Sequence, residues 1–97
     1  MSAFRFVQDW YAAHCDGEWE HEFGMTINTL DNPGWIIEID IAHTGADGRR
    51  LTKALTEPGP GQWIWSWCDG RKFGAACDPA SLEDAFARFR AFIEKTL

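Results

Sequence analysis

The stretch Phe23-Gly24-Met25-Thr26-Ile27-Asn28-Thr29-Leu30-Asp31-Asn32-Pro33-Gly34-Trp35-Ile36-Ile37-Glu38-Ile39-Asp40-Ile41 decides the fold. Phe23, Met25 and Ile27 alternate with Gly24, Thr26 and Asn28. After Asp31-Asn32-Pro33-Gly34, residues Trp35, Ile37, Ile39 and Ile41 alternate around Glu38 and Asp40. A period of two rich in β-branched and aromatic residues means strand, because successive side chains of an extended chain point to opposite faces. The Pro-Gly turn closes the two runs into a hairpin.

On the N-terminal side, Phe4, Val7 and Tyr11, with Phe6 and Trp10 beside them, recur at helical spacing, which predicts a helix from about Ala3 to His14. Gly17 stands beyond it as a C-terminal stop. On the C-terminal side, the polar turn His43 to Arg50 precedes Leu51, Lys53 and Leu55, which alternate as a third strand with one wet face. Glu57-Pro58-Gly59-Pro60-Gly61 breaks regular structure, and a fourth strand, Gln62 to Cys68, turns at Asp69-Gly70 into a fifth, Lys72 to Cys77. Ser81 and Asp84 resemble a capping box for a last helix, whose Leu82, Phe86, Phe89, Ile93 and Leu97 form one broad apolar face. The expected architecture is α+β: an antiparallel meander of about five strands, covered on one face by the N- and C-terminal helices.

With 97 residues the chain is expected to form a single domain, since a second core could not bury enough apolar surface to offset its own ordering. A formal charge of −6 repels phosphate backbones and disfavours a nucleic-acid partner, while attracting basic ones. No apolar run approaches the roughly 20 residues of a membrane span, so no membrane partner is expected. Cys15, Cys68 and Cys77 are odd in number and no secretory leader is visible, which predicts free thiols and a cytoplasmic location.

Trp63, Trp65 and Trp67 alternate, so in a strand their indoles share one side, with Ile64, Ser66 and Cys68 on the other. The burial habit of large aromatics favours packing of the Trp side under the helices. An exposed aromatic platform for a protein or ligand is the alternative, and the alternation by itself does not choose the face. Asp16-Gly17-Glu18-Trp19-Glu20-His21-Glu22 sets four carboxylates around a Trp. Such a segment reads first as a solvated loop, and as a group its carboxylates could mimic phosphates in the basic active site of a nuclease-like partner.

Catalysis is poorly supported. Glu18, Glu20 and Glu22 would share a face if extended, yet no second carboxylate cluster or Lys/His relay accompanies them. His14, Cys15 and His21 lack metal-site spacing, so no metal and no cofactor is expected. Cys68-Asp69-Gly70-Arg71 places a thiol near an Arg, but the Asp-Gly hairpin explains the same residues.

Gln8-Asp9-Trp10-Tyr11, Gly17-Glu18-Trp19-Glu20-His21 and above all Thr29-Leu30-Asp31-Asn32-Pro33-Gly34-Trp35 resemble the bacterial Immunity protein 53 family over most of the chain. The resemblance implies a cytoplasmic antidote, encoded beside a polymorphic toxin, that neutralises a cognate toxin protein by binding it and is not an enzyme. Glu18, Trp19, Glu20, Asp31 and Trp35 are the expected partner-binding residues; no catalytic residue is assigned. Two other classes stay open: a small enzyme using Cys68 or the Glu18 to Glu22 carboxylates, and a homo-oligomeric module burying its Trp strand against a copy of itself.

Overall fold

The computed structural model describes residues 2–95, so Leu97 of the expected C-terminal helix face lies outside the described residues. Helix α1 covers Ala3–His14, where Ser2 caps the start by accepting the Arg5 N–H at 3.0 Å. Cys15 closes it, and Gly17, at φ +94°, turns the chain two residues later. The segment expected as a loop then contains a single helical turn, α2 (Trp19–Glu22). Strands β1 (Met25–Leu30), β2 (Gly34–Asp40), β3 (Arg50–Thr56), β4 (Ile64–Asp69) and β5 (Lys72–Cys77) follow, and α3 (Leu82–Glu94) ends the described chain. No helix among the described residues is long and apolar enough to cross a membrane.

All four strand pairings are antiparallel, in the order β1-β2-β5-β4-β3. The chain does not run straight across the sheet: β5 pairs with β2, and β3 is left at the far edge. Burial explains this order. Ile37 and Ile39 stand opposite Ala75 and Phe73, all fully buried, whereas β3 is exposed along nearly its whole length. The most apolar strands therefore meet in the middle.

Both long helices lie on one side of the sheet. Phe86, Phe89 and Phe92 of α3 are buried, and Phe73 of β5 meets Phe89 and Phe92 at 5.2 and 5.3 Å between ring centroids. From α1, Phe6 and Trp10 reach Phe89 at 6.5 and 5.0 Å. Each fully buried ring stabilises the fold by about 1.5–3 kcal/mol relative to an exposed one. The two helices are also tied at one end, where the Glu83 carboxylate accepts the Ala3 and Phe4 N–H groups at 2.7 and 3.1 Å. The expected capping box is not formed: Ser81 makes no side-chain cap, and its hydroxyl is buried without a partner.

Two sequence expectations change at the level of faces. Ile64 and Cys68, not the indoles, point under the helices, so Trp65 and Trp67 share the open side of β4. The helix side is already filled by Ile37, Ile39, Phe73 and the α3 rings, leaving no room there for three indoles. Trp63, just ahead of β4, lays its ring beside Gly34, where a Cβ would sit within 3.2 Å of it. In β3 the register shifts between Leu51 and Ala54. Leu51 consequently turns to the helix side while Leu55 stands opposite Trp65 on the open side, so the two do not share a face as simple alternation predicted.

Candidate functional site

The acidic turn between α1 and β1 is built from its own carboxylates. Asp16 Oδ1 accepts the N–H groups of Glu18 and Trp19 at 2.9 and 3.0 Å. Glu20 folds back to accept those of Asp16 and Gly17 at 3.0 and 2.8 Å. Asp16 and Glu20 are thus spent on holding the turn. The N–H groups of Trp19 and Glu18 keep the Asp16 carboxyl below the usual carboxylate range.

Trp19 anchors the turn to the body. It is buried, and its indole N–H donates to the Ala42 carbonyl at 2.9 Å. Around it stand His14, Tyr11, Phe23 and Trp10, at 5.6, 6.0, 6.0 and 6.1 Å between centroids. Its indole is therefore committed to packing, and what it presents outward is the position of its neighbours.

Glu18 and Glu22 are exposed. An extended chain would have put Glu18, Glu20 and Glu22 on one face; the helical turn instead aligns Glu18 with Glu22, four residues on, and directs Glu20 elsewhere. These two carboxylates, with Asp16, Trp19, Phe23 and His43, line a cleft of about 270 Å³. His43 arrives from the loop after β2, which no local pattern around residue 18 could reveal. The ion pairs among the described residues are Arg5–Asp9, Lys72–Asp40 and Arg90–Glu94, so no carboxylate of the acidic turn is in a salt bridge.

Asp31 and Trp35 do not join this cluster. The pairing of Met25 with Ile39 at one end of the hairpin and Leu30 with Gly34 at the other puts the Asp31 turn the full length of β1 away. A strand of six residues spans about 20 Å. Asp31 is exposed there, while Trp35 packs on the helix side and donates its indole N–H to Pro79 O at 3.0 Å.

The open side of the sheet is a second surface. Lys53 Nζ lies 5.1 and 5.0 Å from the ring centroids of Trp65 and Trp67, a cation shared between two indoles. Trp67 lies against Gly74, where any Cβ would collide with the indole.

The proposed catalytic groups are differently placed. Cys68 and Cys77 are buried and Cys15 is exposed, all three as free thiols. Burial pushes the Cys68 thiol up, and the Cys77 thiol up to about 11, the reverse of what a nucleophile needs. No group of three or more His, Cys, Asp or Glu among the described residues could hold a metal ion.

The class the fold and this corner define is an open-faced α+β domain with unpaired carboxylates beside the edge strand. The family comparison is specific: the Immunity protein 53 model matches residues 4–94, and the chain belongs to that family. An immunity-protein role, with a toxin as partner, follows from membership. No curated protein and no solved structure matches the chain.

Proposed function

We propose that this protein neutralises one cognate toxin by binding it in the cytoplasm, with the acidic turn seated on a basic, nuclease-like surface of that toxin. The observation that carries the site is the pair Glu18 and Glu22, neither in a salt bridge, held on one face by a turn that Asp16, Glu20 and Trp19 make rigid. Glu18 and Glu22 make the contact; Trp19 and Glu20 position them. Asp31 joins only if the toxin extends along β1, and Trp35 supports that far end from within.

The test is co-production with the toxin encoded by the adjoining reading frame. The parent protein is expected to co-purify with it and to protect the producing cells. Glu18→Lys with Glu22→Lys should place like charges across the contact and cost about 2–5 kcal/mol of affinity if desolvated, or chiefly slow association if at the rim. Unchanged affinity and full protection by the folded double variant would remove the acidic turn from the interface. Glu20→Lys is a poorer probe than its sequence position suggested, because it also breaks two backbone hydrogen bonds.

A further inference from the structure

Strand β1 is a sheet edge whose composition leaves it open to pairing. Met25–Leu30 contains no charged residue and no proline, and its register with β2 is unbroken over all six residues. The Gly24 carbonyl accepts the Asp40 N–H, so by antiparallel alternation residues 24, 26, 28 and 30 spend their backbone groups on β2. Met25, Ile27 and Thr29 therefore present theirs outward, unpaired within the sheet.

Beside that edge runs an apolar groove of about 450 Å³ between α1 and β1, walled by Phe4, Val7, Tyr11, Met25 and Ile27. Phe4 and Ile27, at 51% and 41% exposure, are two of the three exposed large hydrophobic residues among those described. Its lining includes Tyr11, in the last turn of α1, and Gly24, the residue between the acidic turn's helix and β1.

We propose that the outer edge of β1 receives an extended segment of the toxin as an additional strand, bonded to the backbone of Met25, Ile27 and Thr29. Its alternate apolar side chains enter the α1–β1 groove, and a Lys or Arg lies at the Glu18/Glu22 end. This deepens the toxin-binding reading and rests on it. Charge selects the occupant. Antiparallel pairing of β1 with β1 of a second copy would bring the Asp31 end of each against the acidic turn of the other, between two chains of −6. A basic segment meets no such repulsion. Lying along β1, it would also join the two ends of the hairpin that the sheet holds apart.

The experiment uses a phage-displayed library of short random peptides selected on the intact protein, followed by synthesis of the most enriched peptide. Alternating apolar residues with Lys or Arg at one end are expected. On binding, the amides of Met25, Ile27 and Thr29 should gain protection from hydrogen exchange, while those of Thr26 and Asn28 are protected beforehand. Thr29→Pro removes an outward N–H and no β1–β2 bond; Ile27→Lys puts a charge in the groove. Each should weaken the peptide by at least about tenfold, and Leu55→Lys on the far edge should not. The proposal is overturned if no peptide is enriched, if the enriched peptides are acidic, or if both folded variants bind like the parent. A parent dimer dissolved by Thr29→Pro would overturn it in favour of a second copy. Failure of the parent to protect cells from the toxin defeats the immunity reading itself. Full protection and unchanged toxin affinity in both variants defeats only the edge.

Discussion

The two edges of this sheet solve the same problem differently. At β3, Arg50 and Lys53 bring charge to the edge strand, and the register shift between Leu51 and Ala54 breaks its regularity. Lys53 is moreover held over Trp65 and Trp67. At β1 there is neither charge nor irregularity, only the polar side chains of Thr26, Asn28 and Thr29 on a continuous ladder. Charge and bulges are the ordinary means of preventing strand addition. Their presence at one edge and absence from the other separates an edge closed to neighbours from one kept pairable, with an acidic turn at its entrance to repel like chains.

The most severe way to break this comparison is to remove the anchor at the entrance. Trp19→Ala deletes a buried indole and its bond to Ala42, and a loss of about 3–5 kcal/mol is expected in denaturant unfolding. Toxin affinity should fall with it, since Glu18 and Glu22 lose their support. A loss below about 1 kcal/mol would mean the turn stands without the Trp. Glu20→Ala should cost less, about 1–2 kcal/mol, for two backbone N–H groups that water can partly satisfy. Its effect on affinity should exceed its effect on stability if the turn is the contact.

Lys53→Ile tests the opposite edge. Removing the shared cation should lower stability by less than about 1 kcal/mol. Light scattering of the concentrated protein on warming should nevertheless rise above the parent's, because a charge guarding β3 has gone. Unchanged scattering would assign the protection of that edge to the register shift alone.

Much of this architecture was legible because it is locally encoded. The Met25–Asp40 hairpin, the Asp69-Gly70 turn and both long helices follow from period and turn chemistry within short windows. The face of the Trp strand was not legible, because both sides of Gln62 to Cys68 carry bulky or apolar residues. The choice depends on Phe73, Ile37 and Ile39, which fill the helix side from other strands. Simple alternation failed at Leu51 and Leu55 because β3 carries an extra residue between Leu51 and Ala54 relative to β4, which the spacing of its apolar residues does not mark. The acidic segment was recognised, but its helical turn was not, since so short a helix depends on the burial of Trp19 among Trp10, Tyr11 and Phe23 together with the Asp16 and Glu20 carboxylates on the turn's backbone N–H groups. Asp31 and Trp35 were grouped with Glu18, Trp19 and Glu20 by the family resemblance, which two separate segments carry. The length of β1 separates them in space.

The smallest expected effect concerns acid, and it sharpens the contrast between the two ends. Asp16 at the β1 entrance and Asp69 at the β4–β5 turn use the same device, one carboxylate accepting two backbone N–H groups. The bonds from Trp19 and Glu18 lower the Asp16 carboxyl, and those from Arg71 and Lys72 lower the Asp69 carboxyl. Because each folded value lies below the unfolded one, the stabilisation is present above the ordinary carboxylate value of about 3.9 and is lost as pH falls through the lowered folded value. The consequences differ with the surroundings. Asp69 stands opposite Arg50 and terminates paired strands, so its turn keeps the sheet's own hydrogen bonds after protonation. The turn at Asp16 has only its own carboxylates and Trp19. Amide exchange followed from pH 5 down to about pH 2.5 should therefore show the Glu18 and Trp19 amides losing protection at a higher pH than those of Arg71 and Lys72. Asp16→Asn should remove that pH dependence from the first pair and leave the second unchanged. Simultaneous loss at both turns would show that the acidic entrance is as firmly held as the sheet, and that its rigidity comes from Trp19 rather than from the carboxylate.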